Sequence, residues 1–77
     1  MKLSEKIRML REEEGFSPEE LAKRTDLPVQ VIYAFENGKE YPKHSRTYTK
    51  LAEALDTSVR FLMEDDTGYA EANSAER

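Results

Sequence analysis

Leu3, Ile7 and Leu10 recur at the i, i+4, i+7 spacing, and charged residues fill the positions between them. That period predicts an amphipathic helix over residues 3–14, closed by Gly15 just past its end. The run Phe16-Ser17-Pro18-Glu19-Glu20-Leu21 then carries the strongest local signal in the chain. Ser17 is placed to cap a second helix, Pro18 suits its first turn, and Glu20 completes a capping box three residues on. Phe16 and Leu21 have the spacing of a hydrophobic staple. This second helix is expected to run from Pro18 to about Arg24.

Thr25-Asp26-Leu27 is the whole connection to a third helix, opened by Pro28 and stopped at Asn37-Gly38, with Val31, Ile32 and Phe35 on its buried face. Residues 39–44 read as a loop. Ser45 is the expected cap of a fourth helix, whose apolar set is Tyr48, Leu51, Ala52 and Leu55. Asp56-Thr57-Ser58 breaks and recaps the chain, and Val59, Phe61, Leu62 and Met63 form a short fifth helix. Alternation with period two is nowhere sustained, so the fold class is all-α, a compact five-helix bundle. The expected core is Leu3, Ile7, Leu10, Leu21, Ala22, Val31, Ile32, Phe35, Leu51 and Leu55.

Composition narrows the function classes. The 77 residues suit one domain, and the absence of Cys excludes disulfides and thiolate metal sites. The single His, His44, has no second ligand at a sensible spacing, so no metal is expected. Nor is there a Gly-rich phosphate loop, a Ser/His/Asp set, or a carboxylate pair bound to share a pocket. The expectation is therefore neither an enzyme nor a cofactor carrier. Met1-Lys2-Leu3-Ser4 does not lead into the apolar stretch of a signal peptide, and no apolar run approaches the roughly 18 residues that span a bilayer. The expected compartment is the cytoplasm.

The formal charge of −4 is unevenly spread. Residues 64–77 hold five acids (Glu64, Asp65, Asp66, Glu71, Glu76) against Arg77 and carry the whole −4. Residues 23–50 hold six bases (Lys23, Arg24, Lys39, Lys43, Arg46, Lys50) against Asp26, Glu36 and Glu40, a balance of +3. The positive side of the chain is its middle, which fits binding DNA by one face. The division read from this is a domain at 1–64 and an acidic, flexible tail at 65–77 that repels DNA or competes for the basic side.

Two helices joined by three residues have the length pattern of a helix-turn-helix. The ordered residues sharpen it. Leu-x3-Ile-x2-Leu-Arg, Gly-Phe-Ser-Pro-Glu-Glu-Leu-Ala, Val-Ile-Tyr-Ala-Phe-Glu-Asn-Gly, Tyr-Pro and Lys-Leu-Ala-Glu-Ala-Leu resemble the Cro/cI-type family, also called XRE or lambda-repressor-like, over about residues 3–63. Glu36-x-Gly38-x3-Pro42 is among the more specific elements. The resemblance implies a transcriptional regulator, expected to be a repressor, that lays Pro28–Asn37 in the DNA major groove. It implies base-facing positions at Val29, Gln30, Tyr33 and Ala34. Phosphate-facing positions fall at Pro18, Asn37, Lys39 and Lys43, with His44 or Arg46 close by.

Side-chain chemistry agrees in part. Gln30 can pair with adenine, Val29 can pack on a thymine methyl, and Tyr33 offers a hydroxyl and a ring. Lys39, Lys43 and Arg46 neutralise phosphates. Pro18, Asp26 and Pro28 depart from the family pattern, which more often has Gln, Gly and Ser or Thr there, and the loop after Pro42 is one residue longer. Simpler readings stand beside these: Phe35 and Tyr48 as packing residues, Glu36 as a structural tie, Glu12-Glu13-Glu14 as a solvated face. The alternative function is a protein-interaction module, or an antitoxin with the same fold, because the third helix exposes no Arg or Lys. One recognition helix makes too few base contacts to select a site, so a homodimer on a palindromic operator is expected, joined through residues 57–63 with Val59, Phe61 and Met63 at the interface; the alternative is that Val59, Phe61, Leu62 and Met63 all simply seal the core.

Overall fold

The computed structural model describes residues 1–64 as five α-helices in the order α1 (Leu3–Glu14), α2 (Pro18–Thr25), α3 (Val29–Glu36), α4 (Ser45–Ala54) and α5 (Val59–Met63). The acidic tail expected from residue 65 lies outside the described residues. Among the described residues there is no strand, and no helix is long and apolar enough to cross a membrane.

Four helix ends are closed by the same device. Past α1, Gly15 takes φ 78° while its N–H bonds Glu12 O and the Phe16 N–H bonds Arg11 O. The same paired bonds, six-to-one and five-to-two, recur at Asp26 after α2, at Gly38 after α3 and at Asp56 after α4. Each of these residues sits in the left-handed region (φ 59°, 76° and 57°). This Schellman geometry satisfies carbonyls that a helix end otherwise orphans, and short polar residues visit it more readily than other side chains do. Asp26 therefore supplies the turn conformation that the family more often gives to Gly, and the departure leaves the turn geometry intact.

Several boundaries differ from expectation for identifiable reasons. The fourth helix is capped by His44, in extended backbone, and Ser45 is its first helical residue; the Ser45 carbonyl accepts from Thr49 Oγ1 instead. The third helix is shorter than Pro28–Asn37, since both of those residues are caps. At α2, Ser17 Oγ accepts from the Glu20 N–H at 3.0 Å, but the box is half made: the Glu20 carboxylate turns to Arg24 Nε at 3.1 Å.

Leu3, Ile7, Leu21, Ala22, Ile32, Phe35, Leu51, Ala52, Leu55 and Leu62 form the core, drawn from all five helices. Leu10 and Val31, expected inside, are half-buried at its margin, while Ala52 and Leu62 are fully enclosed. α3 packs on both α1 and α2, and α5 packs on α4 and α1. Two buried charged groups complete this frame. Glu36, at the end of α3, receives Arg11 Nε at 2.6 Å and Nη2 at 3.0 Å, while Arg11 Nη1 donates to Phe16 O at 2.8 Å. The hydrogen bond to Glu36 raises the Arg11 pKa further, so the pair is permanently ionised on the guanidinium side. Glu36 is thus the structural tie expected of it. Lys6, only 2% exposed, donates to the carbonyls of Phe61 (2.6 Å) and Glu64 and lies 4.6 Å from the Phe61 ring centre. It pins the last turn of α5 to α1.

Candidate nucleic-acid interface

α3 turns Ile32, Phe35 and Glu36 inward, and this fixes what it presents outward. Gln30 and Tyr33 are exposed and Ala34 is half-buried beside them, so three of the four expected base-facing residues form one stripe along the outer side of the helix, while Val29 lies at its flank and packs against the core. Helical geometry dictates the stripe: positions 30, 33 and 34 lie at i, i+3 and i+4, adjacent over about one turn. The stripe carries no cation.

The cations come from the chain that follows. Past Gly38 the backbone leaves α3, and buried Pro42 holds the loop against the domain before His44 starts α4. Between this loop and α3 runs an open groove of about 470 Å³, whose lining includes Gln30, Ala34, Tyr41, Lys43 and His44. Two expected base readers and two expected phosphate binders thus meet across one groove. Lys43 is exposed, and its pairing with Glu40 at 3.8 Å on the surface leaves its charge available to a stronger anion. Lys39, Arg46 and Asn37 are exposed outside this groove. Pro18 is the first residue of α2 and half-buried.

Two further groups stand beside the expected base-facing residues. Tyr41, 56% exposed, lines the groove beside Lys43, although in the sequence it stands out only as half of a Tyr-Pro pair. Glu19, on the first turn of α2, accepts from the Tyr33 hydroxyl at 2.7 Å. That bond holds the Glu19 carboxyl below its ordinary range and the Tyr33 phenol above its own.

The expected fifth-helix interface is divided by burial. Leu62 is sealed in the core, Val59 and Phe61 are half-buried against it, and Met63 is 51% exposed.

A short helix-turn-helix with Lys39 and Lys43 in the loop after its second helix has the arrangement of a DNA-binding module. A sequence model of the helix-turn-helix family matches residues 7–62, most of the chain. The chain belongs to that family, in its Cro/cI (XRE) form, and to its class of DNA-binding transcription regulators. Among solved structures, the SinR protein/SinI protein complex contains a chain similar in fold, with a TM-score of 0.76 at 20% identity over 96% of this chain and 77% of that one. No curated protein matches the sequence.

Proposed function

We propose that α3 enters the major groove of a specific double-stranded DNA and that the chain acts in the cytoplasm as a transcriptional repressor. The observation that carries this reading is the groove at which Gln30 and Ala34 face Lys43 and His44. A reading amide beside a phosphate clamp lets one docking event fix register and sample base edges together. Gln30→Ala is expected to weaken the best site by about 1–3 kcal/mol and to relax preference at one base pair. Lys39→Ala and Lys43→Ala are expected to weaken all sequences alike and to lower the salt slope by about one unit each. Binding titrations over a salt series, on cognate and mixed duplexes, separate the two patterns. A Gln30 effect equal on every sequence reassigns that side chain to the backbone.

Specificity asks for a second half-site, and we assign the pairing of two copies on a palindromic operator to α5. Met63 is the central contact, flanked by Val59 and Phe61. Met63→Glu tests this better than a change at Phe61, whose ring also packs on the core and beneath Lys6. Sedimentation is expected to show a wild-type dimer on operator DNA and a Met63→Glu monomer. A wild type that stays monomeric with operator present removes the assignment.

The competing reading, a protein-binding module, draws on the absence of any cation on α3 and on the acidic Glu19 beside it. It requires that mixed DNA go unbound even at low salt.

A further inference from the structure

Tyr33 is one of the residues expected to face the bases, and its hydroxyl proton is already committed. The phenol donates to Glu19 Oε2 at 2.7 Å, across the turn between α2 and α3, and both side chains are exposed. Glu19 sits on the first turn of α2, behind the Ser17 cap, and Tyr33 on the second turn of α3. The packing of α2 on α3 therefore brings the two side chains within reach of each other. The shifts named above keep the proton on the phenol and the charge on the carboxylate.

A tyrosine hydroxyl has one proton and two lone pairs. With the proton held by Glu19, what remains for a ligand is acceptor only, and the carboxylate beside it accepts only as well. We infer that the Tyr33–Glu19 pair is a specificity element that selects an amine-bearing base in the major groove, cytosine first and adenine second. This rests on the DNA-binding reading above and names what one position of that site takes.

The chemistry of the groove edges decides the order. Guanine shows N7 and O6, thymine shows O4, and all three are acceptors. Placed against Tyr33 Oη and Glu19, they meet lone pairs and a negative charge with no proton between. Cytosine shows an N4 amine next to a C–H edge, so both acceptors of the pair approach it without opposition. Adenine offers the N6 amine but sets the N7 lone pair beside it, which opposes one of the two acceptors. A free tyrosine would rotate its hydroxyl and tolerate either kind of base; Glu19 removes that freedom. Glu19 is thus a positioning residue acting through Tyr33, and it also repels phosphates that stray onto this part of the face.

Selection of bound duplexes from a random pool, by wild type, Tyr33→Phe and Glu19→Ala, tests this. The position read by the pair is the one where Tyr33→Phe changes the base frequencies. There the wild type is expected to favour one base pair by about ten-fold, the scale of one good base contact, and to lose a similar factor when the cytosine or adenine of that pair is replaced by an analogue lacking the exocyclic amine. Glu19→Ala is expected to reduce that ratio to about two-fold or less while leaving preferences at other positions intact, which a purely structural role for Glu19 would not do. Undiminished binding to the amine-lacking analogue overturns the inference, and so does an unchanged ratio in Glu19→Ala or a Tyr33→Phe variant that alters no position. A wild type that enriches no sequence removes the DNA-binding reading and this inference with it.

Discussion

Arg11→Ala is expected to lower the unfolding free energy by about 3–5 kcal/mol, the range for breaking a buried ion pair from one side. Glu36 keeps only 5% of its side chain exposed and Arg11 11%, so the carboxylate left behind has almost no access to water. Arg8 Nε, 3.8 Å from Glu36 Oε1, is the remaining cation, but 55% of its side chain is in solvent and it compensates weakly. The substitution also removes the donor to Phe16 O. A domain this small holds only a few kcal/mol of net stability, so the variant is expected to be largely unfolded near body temperature. Arg11→Lys recovers less than half of the loss, because a single ammonium cannot serve two carboxylate oxygens and a carbonyl in the plane that the guanidinium spans. Urea denaturation followed by circular dichroism measures both. A loss below about 1 kcal/mol in Arg11→Ala, the level of an exposed pair, contradicts the account of Glu36 as the anchor of α3.

Lys6→Ala is expected to cost about 2–4 kcal/mol, from lost packing plus charged hydrogen bonds of about 1.5–3 kcal/mol each that are partly replaced by water. Two effects are combined in that figure, and Lys6→Met separates them. Methionine fills the volume under Phe61 but cannot donate to the carbonyls of Phe61 and Glu64. It is therefore expected to recover about half of the loss while leaving the last turn of α5 unpinned. Hydrogen exchange reports this locally: amides of α5 gain exchange in Lys6→Met while those of α2 and α3 do not. If α5 exchanges as in the wild type, Lys6 is a packing residue only, and the tie between α1 and α5 lies elsewhere.

These two residues mark where sequence reasoning stops. The helices were legible because each has an apolar period and two, α2 and α5, have a serine cap: Leu3, Ile7 and Leu10 define α1, and Ser17 with Pro18 places the start of α2 to the residue. Lys6 was hidden because an ammonium among charged neighbours reads as solvated, although it stands three residues from Leu3 and four from Leu10, on the apolar face. Its partners are backbone carbonyls some fifty-five positions away, and carbonyls carry no residue signature. His44 as the cap of α4 was missed for a related reason. Ser45 has the better side chain for capping, but backbone geometry starts the helix one residue earlier and His44 makes no side-chain cap bond.

On α3, the outward stripe of Gln30, Tyr33 and Ala34 follows from the helical period, and its expected role from family resemblance; the packing of Val29 against the core follows from neither. The groove shared with Lys43 and His44 depends on the path of the loop, which buried Pro42 shapes and no periodicity announces. The Tyr33–Glu19 bond joins two helices across the turn, fourteen positions apart. Only the crossing of α2 and α3 brings it about.

Sequence-specific DNA binding through α3 is best tested by competition. A labelled duplex carrying the best selected sequence is displaced from the protein by the same duplex or by one with that sequence scrambled, at fixed protein and at two salt concentrations. The scrambled competitor is expected to be needed at about a thousand-fold excess or more over the selected one. Both affinities are expected to fall as salt rises, because phosphate contacts underlie each. Equal displacement by the two duplexes, or no binding to either at low salt, would contradict sequence-specific binding.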